Sequence, residues 1–203
     1  MVNVMNKPLF LFVGRSASGK TSIAELLEEK CYYRQVFSYT TRAPRFKDEP
    51  GHIFVDEETF KNLGELAAYT YYNNNHYGTT VAQLNECDIY VIDIPGIETL
   101  LQRYKTDRPI HVIYFDASTY TRIWRMIDRH DSDSAIISRL LHDEEEDWYA
   151  QINKLVWHYA NNEHKDVILY NVNANENKTE VFNQVSTYMA QVIEKSNITA
   201  EGD

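Results

Sequence analysis

The sequence predicts an α/β fold in which a parallel sheet is flanked by helices. Four short apolar runs of strand type are separated by segments with helical periodicity. The runs are "PLFLFV" (8–13), "DIYVID" (88–93), "HVIYFD" (111–116) and "DVILYN" (166–171). Apolar strands that alternate with helices are typical of a parallel sheet that is covered on both faces.

The composition limits what the protein is and what it binds. With 203 residues, 43% of them hydrophobic, the chain is long enough for one globular domain. The net charge of −10 disfavours nucleic acid partners, and no apolar run approaches the roughly 18 residues of a membrane span. Cys31 and Cys87 match no metal or disulfide spacing, which, without a recognisable signal peptide, predicts a cytoplasmic protein. We expect a monomer or a homodimer.

The first predicted strand leads into "GRSASGKT" (14–21), which matches the pattern G-x-x-x-x-G-K-[ST]. In such a loop, backbone N–H groups and the positive end of the following helix point at phosphate oxygens. We expect Lys20 to reach the β- and γ-phosphates and Thr21 to ligate Mg²⁺. The strand before the loop and the helical spacing of Ile23, Leu26 and Leu27 after it predict a P-loop NTPase-type parallel sheet.

The segment from about 34 to 80 breaks the alternation of strands and helices. It is rich in Thr, Tyr, Asn and Pro, and we interpret it as a lobe inserted after the first helix. Within it, "SYTTRAPR" (38–45) places Arg42 and Arg45 behind hydroxyl side chains. Arginine binds phosphate with two parallel hydrogen bonds and stays charged, so this segment predicts a clamp for a second phosphate.

Four helical patterns follow the inserted segment, and a polar stretch interrupts them. The patterns are "IETLLQRYK", "TYTRIWRMIDRH", a long stretch over about 134–160 and "TEVFNQVSTYMAQVIEK". The polar stretch "RHDSDS" (129–134) separates two of these helices, and because it is short and polar we expect it to be mobile.

Taken together, these motifs resemble those of guanylate kinases. "SYTTRAPR" is similar to the acceptor signature S-x-T-T-R-x-P-R, and "NNNHYGTT" to G-N-x-Y-G-T. "DIPG" (93–96) stands where the family has D-x-Q-G, "RHDSDSAIISRL" (129–140) resembles its lid, and "YNVN" (170–173) its last strand. The resemblance covers nearly the whole chain in the right order, and the pair "TTRAPR" and "YGT" discriminates far better than the P-loop alone.

The resemblance implies one guanylate-kinase-like domain over residues 1–203. Its core would comprise 1–33 and 81–203, with an NMP-binding lobe at about 34–80 and a lid at about 129–138. It also implies the reaction, which is the Mg²⁺-dependent transfer of the ATP γ-phosphoryl group to GMP or dGMP. The expected partners are therefore small-molecule nucleotides, with ATP as co-substrate, Mg²⁺ as cofactor, and neither nucleic acid nor membrane.

The resemblance also assigns residues to roles, motif by motif. The catalytic residues would be Lys20, Arg42, Arg129 and Arg139, because two phosphates repel unless cations neutralise their charge. ATP would contact Gly14, Ser16, Ser18, Gly19, Lys20, Thr21, Ser22 and, near its adenine, Asn171. The acceptor would contact Ser38, Arg42, Arg45, Tyr77, Thr79 and Asp93. The metal would be held by Thr21 and Asp93.

Two departures from the family pattern affect the acceptor side. His52 replaces a tyrosine; it either supplies a phosphate hydrogen bond when protonated or is a polar surface residue. Ala68 stands nine residues before Tyr77, where the family has the carboxylate that reads guanine, and alanine accepts no side-chain hydrogen bond. Glu65 is an alternative reader. These departures leave open another (d)NMP, or a phosphorylated sugar, as acceptor.

A non-catalytic binding module is the alternative from another class. Guanylate-kinase-like scaffold domains bind phosphopeptides through the acceptor pocket and typically lose the P-loop lysine and the lid arginines. This chain retains Lys20, Arg129 and Arg139, which favours an enzyme.

Overall fold

The computed structural model describes residues 7–44, 47–49, 51–144, 147–163 and 166–200. The strands are β1 (Leu9–Val13), β2 (Gln35–Val36), β3 (Ser38–Thr40), β4 (His52–Phe54), β5 (Leu66–Tyr72), β6 (Asn75–Thr80), β7 (Ile89–Val91), β8 (Ile110–Asp116) and β9 (Val167–Asn173). The helices are α1 (Lys20–Cys31), α2 (Glu57–Lys61), α3 (Val81–Glu86), α4 (Ile94–Arg103), α5 (Thr119–Asp128), α6 (Asp133–Glu144), α7 (Trp148–Asn161) and α8 (Lys178–Ala200).

A five-stranded parallel sheet with the order β2-β7-β1-β8-β9 forms the centre of the molecule. Every residue of β1 is buried, and successive side chains face opposite sides. Leu9, Leu11 and Val13 pack in a cluster with residues of α4 and α7. Phe10 and Phe12 pack in a second cluster with residues of α1 and α8. The predicted α/β fold, with a parallel sheet covered on both faces, is confirmed.

A smaller sheet of four strands, ordered β4-β3-β6-β5, lies within the segment that was interpreted as an inserted lobe. Its pairs are antiparallel except for β3 with β4. Strand β2, near the start of that segment, pairs with β7 and so belongs to the central sheet. The second sheet therefore begins at Ser38, three residues beyond Gln35.

Helix caps fix the loops at the carboxyl ends of the central strands. Asp93 follows β7 and caps α4 by accepting a hydrogen bond from Gly96 N, and Ser118 follows β8 and caps α5. Both loops and the P-loop therefore lie at the same edge of the sheet. None of the helices in the described ranges is long and apolar enough to cross a membrane.

Candidate functional site

The P-loop joins the carboxyl end of β1 to α1, and its glycines have structural reasons. Gly14 has φ +151°, and a Cβ there would meet Phe115 O at 2.8 Å. Gly19, the residue before α1, has φ +101°, a backbone conformation that favours glycine. Both positions let the loop pass close to β8 and turn into the helix, so the pattern read from the sequence forms the turn that a phosphate loop requires.

The Lys20 side chain folds over this loop. Its Nζ donates hydrogen bonds to Gly14 O at 2.6 Å and Arg15 O at 2.9 Å, and lies 3.3 Å from Ser18 Oγ. Burial lowers the pKa of Lys20 to about 8; nearby Asp143 opposes that effect and Arg122 adds to it. The ammonium group is thus held by neutral carbonyls. A phosphate anion bound beside it would raise the pKa of Lys20 and keep the group protonated.

Two cavities meet at the P-loop. The first, of about 600 Å³, lies between the P-loop, the second sheet and α6. It brings together these predicted site residues: Gly14, Ser16, Lys20, Ser38, Arg42, Tyr77, Asp93 and Arg139. The second, of about 880 Å³, is lined by the predicted residues Ser18, Gly19, Lys20, Thr21, Ser22 and Arg129. Lys20 lines both cavities, so the P-loop lysine lies where the two spaces adjoin.

Arg42 lies in the first cavity with its guanidinium group already engaged. It donates two hydrogen bonds to Glu49, at 2.9 and 3.1 Å, and lies over the ring of Phe54. The bond with Glu49 is the main cause that raises the pKa of Arg42. Nearby, Ser38 Oγ lies 3.0 Å from His52 Nδ1. The two-pronged geometry that Arg42 offers to a carboxylate is also the geometry that suits a phosphate.

The two lid arginines share one carboxylate. Arg129 donates to Asp131 through Nε at 3.0 Å, and Arg139 also forms an ion pair with Asp131. The hydrogen bond from Arg129 is the main cause that lowers the pKa of Asp131. Arg129 faces the second cavity and Arg139 the first, so Asp131 holds together two cations that belong to different cavities.

Asp93 faces the first cavity from the end of β7. Its Oδ1 accepts hydrogen bonds from Gly96 N at 2.8 Å and from Thr70 Oγ1 at 3.0 Å. Desolvation raises the pKa of Asp93 in spite of these bonds. Thr21, its predicted partner at a metal site, lines the second cavity.

Several curated relatives resemble this chain in sequence. Over 144 residues it is 31% identical to the guanylate kinase of Geobacter metallireducens. This aligned region covers 64% of this chain and 70% of that protein. Over 159 residues it is 30% identical to the guanylate kinase of Legionella pneumophila, which covers 72% and 75%. The chain belongs to the guanylate kinase family. The membership predicted from the motifs is confirmed, and with it an ATP-dependent nucleoside monophosphate kinase.

Solved structures agree on the fold. The guanylate kinase of Anaplasma phagocytophilum superposes with a TM-score of 0.51 and 16% identity, covering 93% of this chain and 87% of that one. This likeness supports the fold alone. No protein-family model matches the chain.

Two acceptor-side positions of this guanylate kinase homologue, Ala68 and Thr79, lie away from the two cavities. Ala68 is 1% exposed and pairs with Thr79, which is wholly buried and donates a hydrogen bond to Tyr90 Oη. Neither residue lines a cavity, although Tyr90 does. A bulge lies between Leu66 and Ala68, and Thr70, two residues beyond Ala68 on the same strand, lines the first cavity.

Asn171 is also displaced from its predicted place. It lies exposed within β9, opposite Tyr114, and lines neither cavity. The asparagines that face the second cavity are Asn175 and Asn177, beyond the end of the strand. Strand β9 continues to Asn173, two residues past the predicted strand end, so Asn171 lies inside the strand and not at its end. Arg45 lies outside the described residues.

Sequence reasoning missed two arginines of α5. Arg125 donates to Ser18 O at 3.0 Å and to Ala174 O at 2.8 Å, and so ties the P-loop to the chain after β9. Arg122 is wholly buried and bonds to Asp143. A signal existed for Arg122, because it falls four residues before the buried Met126, on the apolar stripe of an amphipathic helix.

Proposed function

We propose that this chain transfers the γ-phosphoryl group of ATP to GMP or dGMP, giving ADP and (d)GDP. The observation that carries the proposal is Lys20, which lines both cavities. Phosphoryl transfer needs two phosphates held in line with their charge neutralised, and little covalent chemistry from the protein. A lysine at the junction of two binding spaces supplies a cation at the point of transfer.

We assign the second cavity to the nucleoside part of ATP and the first to the acceptor, and we place the ATP phosphates on the P-loop, which borders both. The second cavity holds the start of α1, where Thr21 and Ser22 follow the P-loop lysine. The first holds Ser38, Arg42 and Tyr77, which are suited to one monophosphate. In this assignment Glu49 gives up the Arg42 fork, or shares it, when the acceptor phosphate binds.

Arg129 and Arg139 act on the group in transfer. They approach the P-loop from the two cavities and are tethered to each other through Asp131. We propose that residues 129–138 act as a lid and that the second sheet forms the NMP-binding lobe of a single domain. Closure of both brings the arginines onto the phosphoryl group and excludes water, which would otherwise accept it.

The residues present fit a Mg²⁺ ion that is bound chiefly by nucleotide oxygens and water. The Thr21 hydroxyl lies directly after Lys20 on the rim of the second cavity and is a hard oxygen donor. Bound Mg²⁺ neutralises charge on the β- and γ-phosphates. Asp93, whose Oδ1 already accepts two hydrogen bonds, orients the acceptor from the first cavity.

A kinase on another (d)NMP is the second candidate, favoured by the position of Ala68. Strand β5 contains no Asp or Glu, so it presents no carboxylate to the first cavity; Thr70, which faces that cavity, donates a hydrogen bond to Asp93. A cavity wall without a β5 carboxylate lacks the acceptor that reads guanine in the family pattern, which favours another base as a second candidate.

The test is ADP release from ATP and Mg²⁺ with GMP, dGMP, AMP, CMP, UMP, dTMP and ribose 5-phosphate. We expect turnover with GMP and dGMP at least tenfold faster than with the other acceptors, on the order of what one lost hydrogen-bond partner costs. Preference for another nucleotide would support the second candidate. Turnover with none of them would contradict both.

A further inference from the structure

A carboxylate of this chain sits on the P-loop. Asp143, near the end of α6, accepts through Oδ2 a hydrogen bond from Ser16 N at 2.7 Å. The same oxygen accepts a hydrogen bond from Arg122 Nη1, also at 2.7 Å. The side chains of Arg122 and Asp143 are 0% and 1% exposed. A P-loop amide, a buried guanidinium and a buried carboxylate thus meet at one point on the wall of the first cavity.

The two donors that meet at this point would bind a phosphate oxygen equally well. P-loop amides bind phosphate oxygens, and a guanidinium group binds them with charge-assisted hydrogen bonds. Lys20, whose Nζ contacts Gly14 O and Arg15 O, lies beside them. The carboxylate oxygen Oδ2 therefore occupies a position that its neighbours would offer to a phosphoryl oxygen.

The carboxylate itself is imperfectly satisfied. Its other oxygen, Oδ1, is buried and has no hydrogen-bond partner among the described residues. A buried acceptor without a partner carries a desolvation cost that the folded state does not recover. Replacement of Asp143 by a ligand oxygen would keep both donors bonded and release Asp143 to solvent.

We propose that Ser16 N–H and Arg122 form an oxyanion site for a phosphoryl oxygen of the bound nucleotide, and that Asp143 fills this site until the nucleotide displaces it. The proposal rests on the assignment of the P-loop to ATP. Asp143 lies one helical turn beyond Arg139 on α6, so its displacement shifts the turn that carries a lid arginine. Arrival of the nucleotide and movement of the lid helix are thereby coupled through one carboxylate.

The opposing interpretation is that Arg122 and Asp143 form a permanent ion pair that clamps α5 to α6. Both interpretations predict that loss of Asp143 lowers the melting temperature of the free protein, since Arg122 would lose its buried partner. They differ in what they predict for phosphate binding. A displaced carboxylate requires tighter binding when its charge is removed. A permanent clamp allows a gain through charge alone, but it predicts that Asp143 of the unsubstituted protein still accepts from Ser16 N when pyrophosphate is bound.

The test is calorimetric titration of the full chain with inorganic pyrophosphate. We expect Asp143→Asn, which keeps the shape and removes the charge, to bind pyrophosphate about tenfold more tightly than the unsubstituted protein. The matched control is Asp107→Asn, the same change on an exposed residue before β8, at the opposite edge of the central sheet. It should leave the affinity within twofold. Unchanged or weaker binding by Asp143→Asn, or no binding by either protein, overturns the proposal.

A double variant tests the role of Arg122. Arg122→Met combined with Asp143→Asn removes both buried charges and avoids an unpaired ion. We expect it to lose the tenfold gain of Asp143→Asn, because the guanidinium donor is gone. Retention of the gain would show that Arg122 does not bind the anion and would overturn that half of the site.

A structure of the unsubstituted protein with pyrophosphate decides the matter without any variant. We expect Ser16 N and Arg122 Nη1 to contact a phosphate oxygen, with Asp143 Oδ2 beyond hydrogen-bond distance of Ser16 N. If Asp143 still accepts from Ser16 N in that complex, the proposal is wrong. Since pyrophosphate needs no acceptor, failure of GMP turnover would contradict the proposed function and not this site.

Discussion

The P-loop and the first cavity, which we call the acceptor cavity after its proposed ligand, differ in how far apart in sequence their residues lie. The P-loop is one contiguous stretch of residues 14–22 between a buried strand and a helix, and its conformation follows from two glycines. The acceptor cavity is assembled from β3 to β7 and from α6, and its shape depends on how two sheets and a helix meet. A motif with local geometry therefore reveals its site directly, whereas a cavity between elements depends on register.

The two regions share one feature. In each, a carboxylate of the chain binds a donor group that we assign to a substrate phosphate. Glu49 binds Arg42 in the acceptor cavity, and Asp143 binds the P-loop amide of Ser16. Asp131 holds both lid arginines between the cavities. In the proposed assignment, substrate phosphates compete with these internal anions, so each phosphate contact exchanges one partner for another.

Removal of Lys20, which lines both cavities, should have the largest effect on turnover. Lys20→Ala should lower kcat by about 10³-fold or more, because the cation between the two phosphates is lost. The melting temperature should stay within a few degrees, since Nζ bonds mainly to loop carbonyls. Steady-state kinetics and a thermal scan measure both. Turnover that persists in a folded variant would contradict the assignment of the loop.

Ala68→Glu tests whether register governs the acceptor cavity. The side chain would be forced into the core beside Thr79, so we expect a loss of about 3–5 kcal/mol of unfolding free energy and no gain in GMP preference. Denaturant unfolding and the ratio of kcat/KM for GMP and AMP measure these effects. The matched control is Ala82→Glu, on an exposed position of α3. A stable variant with stronger GMP preference would mean that Ala68 faces the base after all.

Arg42→Ala should separate the two sites. The acceptor KM should rise about 10–100-fold, as expected for lost charge-assisted hydrogen bonds, while the ATP KM stays within twofold. Arg103→Ala, at the exposed end of α4, is the control for loss of a positive charge. Arg42→Ala also takes away the ion-pair partner of Glu49. A second variant that combines Arg42→Ala with Glu49→Gln removes this carboxylate as well, so a rise in the acceptor KM that both variants share reports loss of phosphate binding and not local disorder. An equal rise in both KM values would contradict two separate cavities.

The pH dependence of ATP binding should sharpen the account of Lys20. Its pKa is lowered to about 8 in the free protein, so the charged fraction falls as pH rises through 8. Above that point the ATP KM should rise, by up to about tenfold per pH unit.

Between about 8 and the ordinary pKa of 10.5 the unfolded chain binds more protons, so this group makes unfolding less favourable as pH rises. Kinetics from pH 7 to 9.5 measure the first effect, and a flat profile that Lys20→Arg does not alter would contradict it.

The same comparison explains which parts could be predicted from sequence. The four apolar strands, the P-loop and the arginine of "TTRAPR" follow from local pattern and composition. Ala68 is located by counting back from Tyr77, and Thr79 and Asn171 by the motifs that contain them. The burial of Ala68 and Thr79 and the continuation of β9 to Asn173 depend on strand pairing, which these motifs do not encode. The pair of Arg122 and Asp143 joins residues 21 positions apart, and no local pattern pairs them.

The most direct test of the central claim, that two nucleotide sites meet at Lys20, is titration with an analogue that links adenosine and guanosine through five phosphates. A ligand that spans both cavities should bind one per chain and about 10²-fold more tightly than ATP or GMP alone, since the second contact becomes intramolecular. It should also exclude both nucleotides. Binding no tighter than that of ATP, with GMP still able to bind beside it, would contradict the claim that the two cavities form one active site.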